Sequence, residues 1–225
     1  MGSRGFSQFY DAEWVNLDPY FQYHRERLIK SWDFISPYAK DGMKVLEIGG
    51  VGPLGVHLKE RYGAHVLETK SDLRYPIAIE SDSIDLVICT EVIEHIKDRE
   101  SSEISDLEGF NYSGTLSLLS EMRRAIKCDG FVFITTPNSS SDHYLVKWMR
   151  DTALLFAPDH VREFTMKELT HQASKAGLEL AHCIAVDCFS RGYTNDDERR
   201  LLSMIKQSGV DFSERGDNLM ALFKK

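Results

Sequence analysis

No run of apolar residues in this chain approaches the ~20 that a membrane span needs, and the N-terminal stretch MGSRGFSQFYDAEW carries no apolar segment of the kind a secretory signal uses. Basic residues are the minority. Lys and Arg number 27 against 35 Asp and Glu, a formal net charge of −8. That balance argues against nucleic acid as the main partner, because phosphate contacts need clustered cations. Cysteine is sparse as well. Cys89, Cys128, Cys183 and Cys188 contain no CxxC pair and read as free thiols in a reducing compartment. Internal repeats and low-complexity tracts are missing. The expectation is a soluble cytoplasmic protein, and the oligomeric state is not legible.

What is present is a chain of 225 residues with a hydrophobic fraction of 42%, enough for one large α/β domain with an appendage. It is organised around Lys44-Val45-Leu46-Glu47-Ile48-Gly49-Gly50-Val51-Gly52-Pro53-Leu54-Gly55. Val45, Leu46 and Ile48 read as a strand buried on both faces. The glycines permit a tight turn and close approach of backbone to a ligand. Pro53 suits the first turn of a following helix. Strand, glycine turn and helix form the nucleotide-binding opening of a doubly wound α/β fold.

Aromatic residues crowd positions 6–40, and Tyr20 to Ile35 has helical spacing. Residues 1–40 are expected as an N-terminal helical cap, most of its aromatics serving as core and Tyr10, Trp14, Tyr23 or His24 open to a lid role. Residues 41–225 form the main domain. Leu54 to Tyr62 is its first helix, stopped by Gly63, and Ala64 to Glu68 its second strand. Glu68 closes that strand, where an acid can accept both ribose hydroxyls of an adenosine ligand. Ser83 to Cys89 is the next strand. It follows too closely for a full helix and strand to intervene, so one helix–strand unit is reduced, tolerable at a sheet edge.

Thr90-Glu91-Val92-Ile93-Glu94-His95 comes just past that strand, on the side where open α/β sheets bind ligands. Glu91, Glu94 and His95 have spacing for one face of a helical turn. Residues 97–113 read as a surface loop, Thr115 to Lys127 as a helix, and Phe131 to Thr135 as a strand. Residues 139–160 are an inserted flap. Thr165 caps a helix with Glu168 completing a capping box. Leu178 to Val186 and Asn218 to Phe223 are the last strands, joined by a helix around Asp196 to Gln207.

VLEIGG, SIDLVICTEVIEHI, GFVFITTPN, the HVREFT–KEL–AGLE block and RGDNLMALFKK, taken in order, resemble class I S-adenosylmethionine-dependent methyltransferases over roughly residues 42–225. The likeness is to the branch that methylates ubiquinone precursors, sugars and other small metabolites at oxygen. It implies a Rossmann-like, doubly wound, mostly parallel sheet with a terminal antiparallel strand. It implies S-adenosylmethionine as cofactor, with Glu47, Gly49, Gly50 and Gly52 at its methionine part and Glu68 at the ribose. Asp72 would lie near the adenine, and Cys89, Thr90 and Glu91 would flank the other side. The family's glycines usually alternate after the acid, whereas positions 51 and 53 here are Val and Pro.

A hydroxyl acceptor needs its proton removed, and His95 or His160 is the candidate catalytic base. Glu91, Glu94, His95 and His160 also resemble the ExxEH…H set with which small-RNA 2′-O-methyltransferases hold a divalent metal, Mg, Mn or Zn. Three functions stay open on the sequence. The first is methyl transfer to a hydroxyl, or an amine, of a small molecule, sugar or glycan. The second is metal-dependent RNA 2′-O-methylation. The third is NAD-dependent oxidoreduction, because GVGPLG is a literal GxGxxG.

Overall fold

A computed structural model describes residues 3–99, 110–150, 155–189, 196–209 and 214–225. The expected loop at 97–113 lies outside the described residues over 100–109, as does Leu154 of the flap.

Three short helices lead: α1 (Ser3–Glu13), α2 (Pro19–Tyr23) and α3 (Arg25–Ile35). The single helix expected from Tyr20 to Ile35 is broken at His24. Tyr10 Oη donates to the Phe21 carbonyl at 2.7 Å, the acceptor that residue 25 would use in an unbroken helix.

The chain continues as β1 (Lys44–Ile48), α4 (Pro53–Tyr62), β2 (His65–Thr69) and β3 (Ile84–Thr90). Then come α5 (Ser113–Ala125), β4 (Ile126–Pro137), α6 (Asp142–Met149) and α7 (Met166–Lys175). The chain ends with β5 (Glu179–Val186), α8 (Asp196–Gln207) and β6 (Asn218–Lys224). The six strands form one sheet in the order β2-β1-β3-β4-β6-β5. β1 to β4 run parallel, and β6 runs antiparallel between β4 and β5. The reduced unit is where the sequence put it: β2 is an edge strand, and residues 70–83 contain neither helix nor strand. Leu73 and Ile77 of that segment still bury into the core.

The core has two layers, one on each face of the sheet. Leu46, Ile48, Val87 and Cys89 join the layer under α5 and α7. Val45, Leu86 and Ile88 join the other, with Leu54 and Leu58 of α4. Successive strand residues point to opposite faces, so strands covered on both sides read as unbroken apolar runs. Phe6, Tyr10 and Trp32 are buried in the second layer, so these cap aromatics are packing. α4 ends at Gly63 with φ of +61°, and the Thr165–Glu168 capping box opens α7. Among the described residues no helix is long and apolar enough to cross a membrane.

Candidate active site

The parallel topology brings the carboxyl ends of β1, β2, β3 and β4 to one edge of the sheet. At β1 the chain bends through Gly49 and Gly50, whose φ values are +90° and +133°. These two are the glycines whose backbone L side chains rarely adopt; Gly52 is extended and caps α4. A Cβ on Gly50 would come to 3.7 Å from Glu68 Oε2, so the missing side chain leaves the face of that carboxylate open. Glu68 is half-exposed at the tip of β2. It accepts the Val51 N–H at 3.2 Å and pairs with Lys70 at 3.0 Å. The Lys70 contact, then the Val51 N–H, pull its carboxyl below the usual range.

Glu47 is buried beneath the bend. Burial pushes its carboxyl up to about 7, against the pull of the Gly52 and Gly55 N–H groups. A Cβ on Gly55 would sit 2.1 Å from Glu47 Oε2. Gly55→Ala therefore displaces the buried Glu47 carboxyl from the Gly52 and Gly55 N–H groups and crowds Val66, and a loss of about 1–3 kcal/mol is expected in urea melts, the usual cost of overpacking.

Glu47 also makes stability pH-dependent. Its folded pKa lies above the ordinary 4.5, so the folded state holds the proton more tightly than the unfolded state. That contribution is complete below the ordinary value and fades as pH rises to about 7. Glu47→Gln cannot ionise. It should lose this slope and exceed the parent at pH 8 by up to about 3 kcal/mol, read from urea melts at pH 5 and 8. Equal slopes in parent and variant would refute the assignment.

Beyond β3 the expected turn carrying Glu91, Glu94 and His95 on one face is not formed. The Glu91 N–H still bonds the Thr135 carbonyl at 3.0 Å, extending the ladder, and the chain then swings through φ of +53° at Glu91. Only Ile93–His95 makes a 3₁₀ turn. Glu91 is thus parted from Glu94 and His95. Its Oε1 accepts from Thr135 Oγ1 at 2.8 Å and Asn218 Nδ2 at 3.0 Å, and lies 3.7 Å from Arg27 Nη1.

Glu94 is fully buried. Burial first, then Glu91, raises its carboxyl well above the usual range. Oε2 accepts from Thr136 Oγ1 at 3.0 Å, and Oε1 has no hydrogen-bond partner. The Glu94 backbone carbonyl accepts the Val161 N–H at 2.8 Å. That bond draws the 160 segment to the site, so the rings of His95 and His160 meet edge to face at 4.8 Å. One ligand atom from each of Glu94, His95 and His160 falls within 4.8 Å of the others. His95 Nδ1 faces the Asp159 carbonyl at 3.2 Å. His160 Nδ1 lies 2.6 Å from Glu163 Oε1. Burial, then His95, lowers the His160 pKa; burial lifts Glu163 to about 7.

The remaining expected residues fall at the edge or apart from it. Cys89 is packed in the core, its thiol raised by burial, so only its backbone reaches the edge. Thr90 pairs in register with Thr135. Asp72 is held by Arg74 at 2.7 Å, which lowers its carboxyl to about 2. Arg27 and Glu163 were not singled out from the sequence. Arg27 lies one position beside the α3 apolar stripe, and Glu163 sits inside the HVREFT block. Next to Glu163, Ser141, Tyr144 and Trp148 line a cavity of about 390 Å³.

The family model described as a methyltransferase domain matches residues 20–183. No curated protein sequence matches the chain. A methyltransferase from Archaeoglobus fulgidus is similar in structure, with TM-score 0.58 and 16% identity over 92% of this chain and 100% of that one. So is a possible histamine N-methyltransferase from Thermotoga maritima, with TM-score 0.57 and 16% identity over 98% of each chain. A putative sarcosine dimethylglycine methyltransferase from Galdieria sulphuraria has TM-score 0.51 and 13% identity over 98% of each chain. The chain belongs to the methyltransferase-domain family. It is a class I S-adenosylmethionine-dependent methyltransferase.

Proposed function

We propose that the enzyme moves a methyl group to a hydroxyl of a small metabolite, sugar or glycan. The observation that carries this reading is the His160–Glu163 pair, a low-pKa imidazole fixed by a buried carboxyl at 2.6 Å beside a cavity. A neutral amine attacks with its own lone pair, whereas a hydroxyl needs a base to take its proton. The amine acceptors named for two of the structural relatives belong to those proteins.

Bound S-adenosylmethionine supplies a methyl already activated by its sulfonium. The open bend supports holding it: a side chain at Gly50 would lie over Glu68. Glu47 and the Gly49–Gly52 bend would keep its methionine end, and Glu68 would accept from the ribose hydroxyls. Thr90 and Glu91, with the backbone of Cys89, would bound its other side. Asp72, committed to Arg74, would take the adenine only by leaving that pair. The work left to the protein is alignment of acceptor oxygen, methyl and sulfur, an effect on the order of 7–11 kcal/mol. His160, neutral at pH 7, takes the acceptor proton at Nε2 while Glu163 holds Nδ1; His95 borders the same space.

A second reading rests on the buried, unpartnered Glu94 Oε1 beside two imidazoles. One carboxylate and two imidazoles suit a divalent ion such as Zn²⁺, which would polarise the acceptor hydroxyl. Glu91, turned toward Thr135, Asn218 and Arg27, is not in this donor set. The deciding experiment is release of S-adenosylhomocysteine against hydroxylated and amine acceptors, with and without EDTA. Turnover of hydroxyl acceptors supports the proposal, and turnover of amines alone overturns it. Loss with EDTA, restored by one divalent ion, selects the metal-assisted form. Methylation of a small RNA alone would move the function to nucleic acid.

A further inference from the structure

The cavity beside Glu163 has a wall chemistry that narrows the acceptor. Three polar atoms of its lining residues, Ser141 Oγ, Tyr144 Oη and Glu163 Oε2, are buried without a hydrogen-bond partner. Ser141 and Tyr144 are 3% and 8% exposed, and the Glu163 side chain 2%. Buried polar atoms are normally paired, and three unpaired ones fall in residues of this one lining. Trp148, 67% exposed and one turn beyond Tyr144 on the same helix, offers its flat apolar indole to the same cavity. A volume of about 390 Å³ is at the small end of ligand sites.

Charge disfavours an anion. An anionic acceptor would meet Glu163, and among the described lining residues the one cation is Arg215, whose Nη1 already donates to the Ser140 carbonyl at 2.7 Å. A phenol fits the apolar wall but brings too few hydroxyls for three separate polar atoms.

We propose that this cavity seats one neutral glycosyl ring of the acceptor, its hydroxyls on Ser141, Tyr144 and Glu163 and its C–H face on Trp148. This rests on the hydroxyl-methylation reading above and names its substrate class. Glu163 joins the two parts of the site, since its other oxygen holds His160. Glu163 lies on the Nδ1 side of His160, so a hydroxyl near Oε2 positions the ring, and the reacting hydroxyl is another that reaches Nε2.

The test is binding, separate from turnover. The enzyme with S-adenosylhomocysteine is titrated with methyl glycosides of gluco, galacto, manno and 6-deoxy configuration, and with hexose 6-phosphate, ethanolamine and catechol. Indole fluorescence and saturation-transfer NMR are the readouts. At least one neutral glycoside should saturate, and the 6-phosphate should bind at least tenfold more weakly. Tyr144→Phe, which removes one hydroxyl, should weaken glycoside binding about tenfold. Trp148→Phe should abolish the fluorescence change while NMR still reports binding. The assignment is overturned if no neutral glycoside saturates, or if glycoside binding survives Tyr144→Phe and Trp148→Ala unchanged. Methyl transfer to a non-sugar hydroxyl without glycoside binding removes this inference alone. Glycoside binding with transfer only to amines removes the hydroxyl reading and leaves the subsite.

Discussion

His160→Gln should lower kcat by about 10²- to 10⁴-fold, the range for loss of a general base, while S-adenosylhomocysteine affinity stays within about twofold of the parent. The two histidines are not equivalent. His160 is fixed by a buried carboxyl at 2.6 Å, and its side chain is 7% exposed. His95 Nδ1 meets the Asp159 carbonyl at 3.2 Å and the exposed Asp159 carboxylate at 3.5 Å, and its side chain is 35% exposed. The ring oriented by a buried carboxyl is the better-placed base, and its lowered pKa leaves it neutral at pH 7. In the parent, kcat/KM should rise with pH as the His160–Glu163 pair loses its protons, a limb that extends to the carboxyl raised to about 7, and then level off; the shape of this limb should change in the variant. Glu163→Gln should cause a smaller fall in kcat and displace the limb, because it positions the imidazole and takes no proton from the acceptor. An unchanged kcat in His160→Gln, or a parallel loss of cofactor affinity, would remove His160 from the chemistry.

Arg27→Met should cost about 2–4 kcal/mol of stability, below or within the 3–5 typical of breaking a buried ion pair, and lower Tm by roughly 5–12 °C for a chain of this size. Arg27 is 2% exposed. Its Nη1 lies 3.7 Å from Glu91 Oε1, and its other nitrogens reach His24 Nδ1 at 3.3 Å and the Tyr20 hydroxyl at 3.4 Å. It therefore ties α2 and α3 to the acid at the sheet edge. His24 is suited to receive that bond: burial, then Arg27, lowers its pKa to about 4, leaving a neutral acceptor. Without Arg27 the Glu91 carboxylate keeps its bonds to Thr135 and Asn218 but loses its counter-charge. Adding Glu91→Gln should recover a good part of the loss, and calorimetric melts of both single variants and the double variant measure the coupling. Simple additivity would mean that Arg27 acts by packing alone.

Much of this molecule was legible because its signals are local. A buried strand, a glycine bend and a helix follow one another within residues 44–62, and the short interval before Ile84 betrayed the trimmed edge of the sheet. The Thr165–Glu168 cap was readable for the same reason: every partner lies within four residues. Glu68 could be placed by its distance from the bend. The glycine register could not, since which of Gly49, Gly50 and Gly52 takes positive φ depends on the bond from the Gly49 N–H to the Thr69 carbonyl at 3.1 Å.

The constellation of acids and imidazoles lies on the other side of that line. Spacing alone put Glu91, Glu94 and His95 together, but one extra ladder bond to Thr135 turns Glu91 away toward Arg27. The bond from Val161 to the Glu94 carbonyl brings in His160, which is 65 positions further on than His95 in the chain. Periodicity and propensity describe neighbours along the backbone, so they yield strands, bends, caps and a fold. Which side chains face each other across the sheet edge is set by hydrogen bonds between distant segments, and these exist only once the sheet has closed.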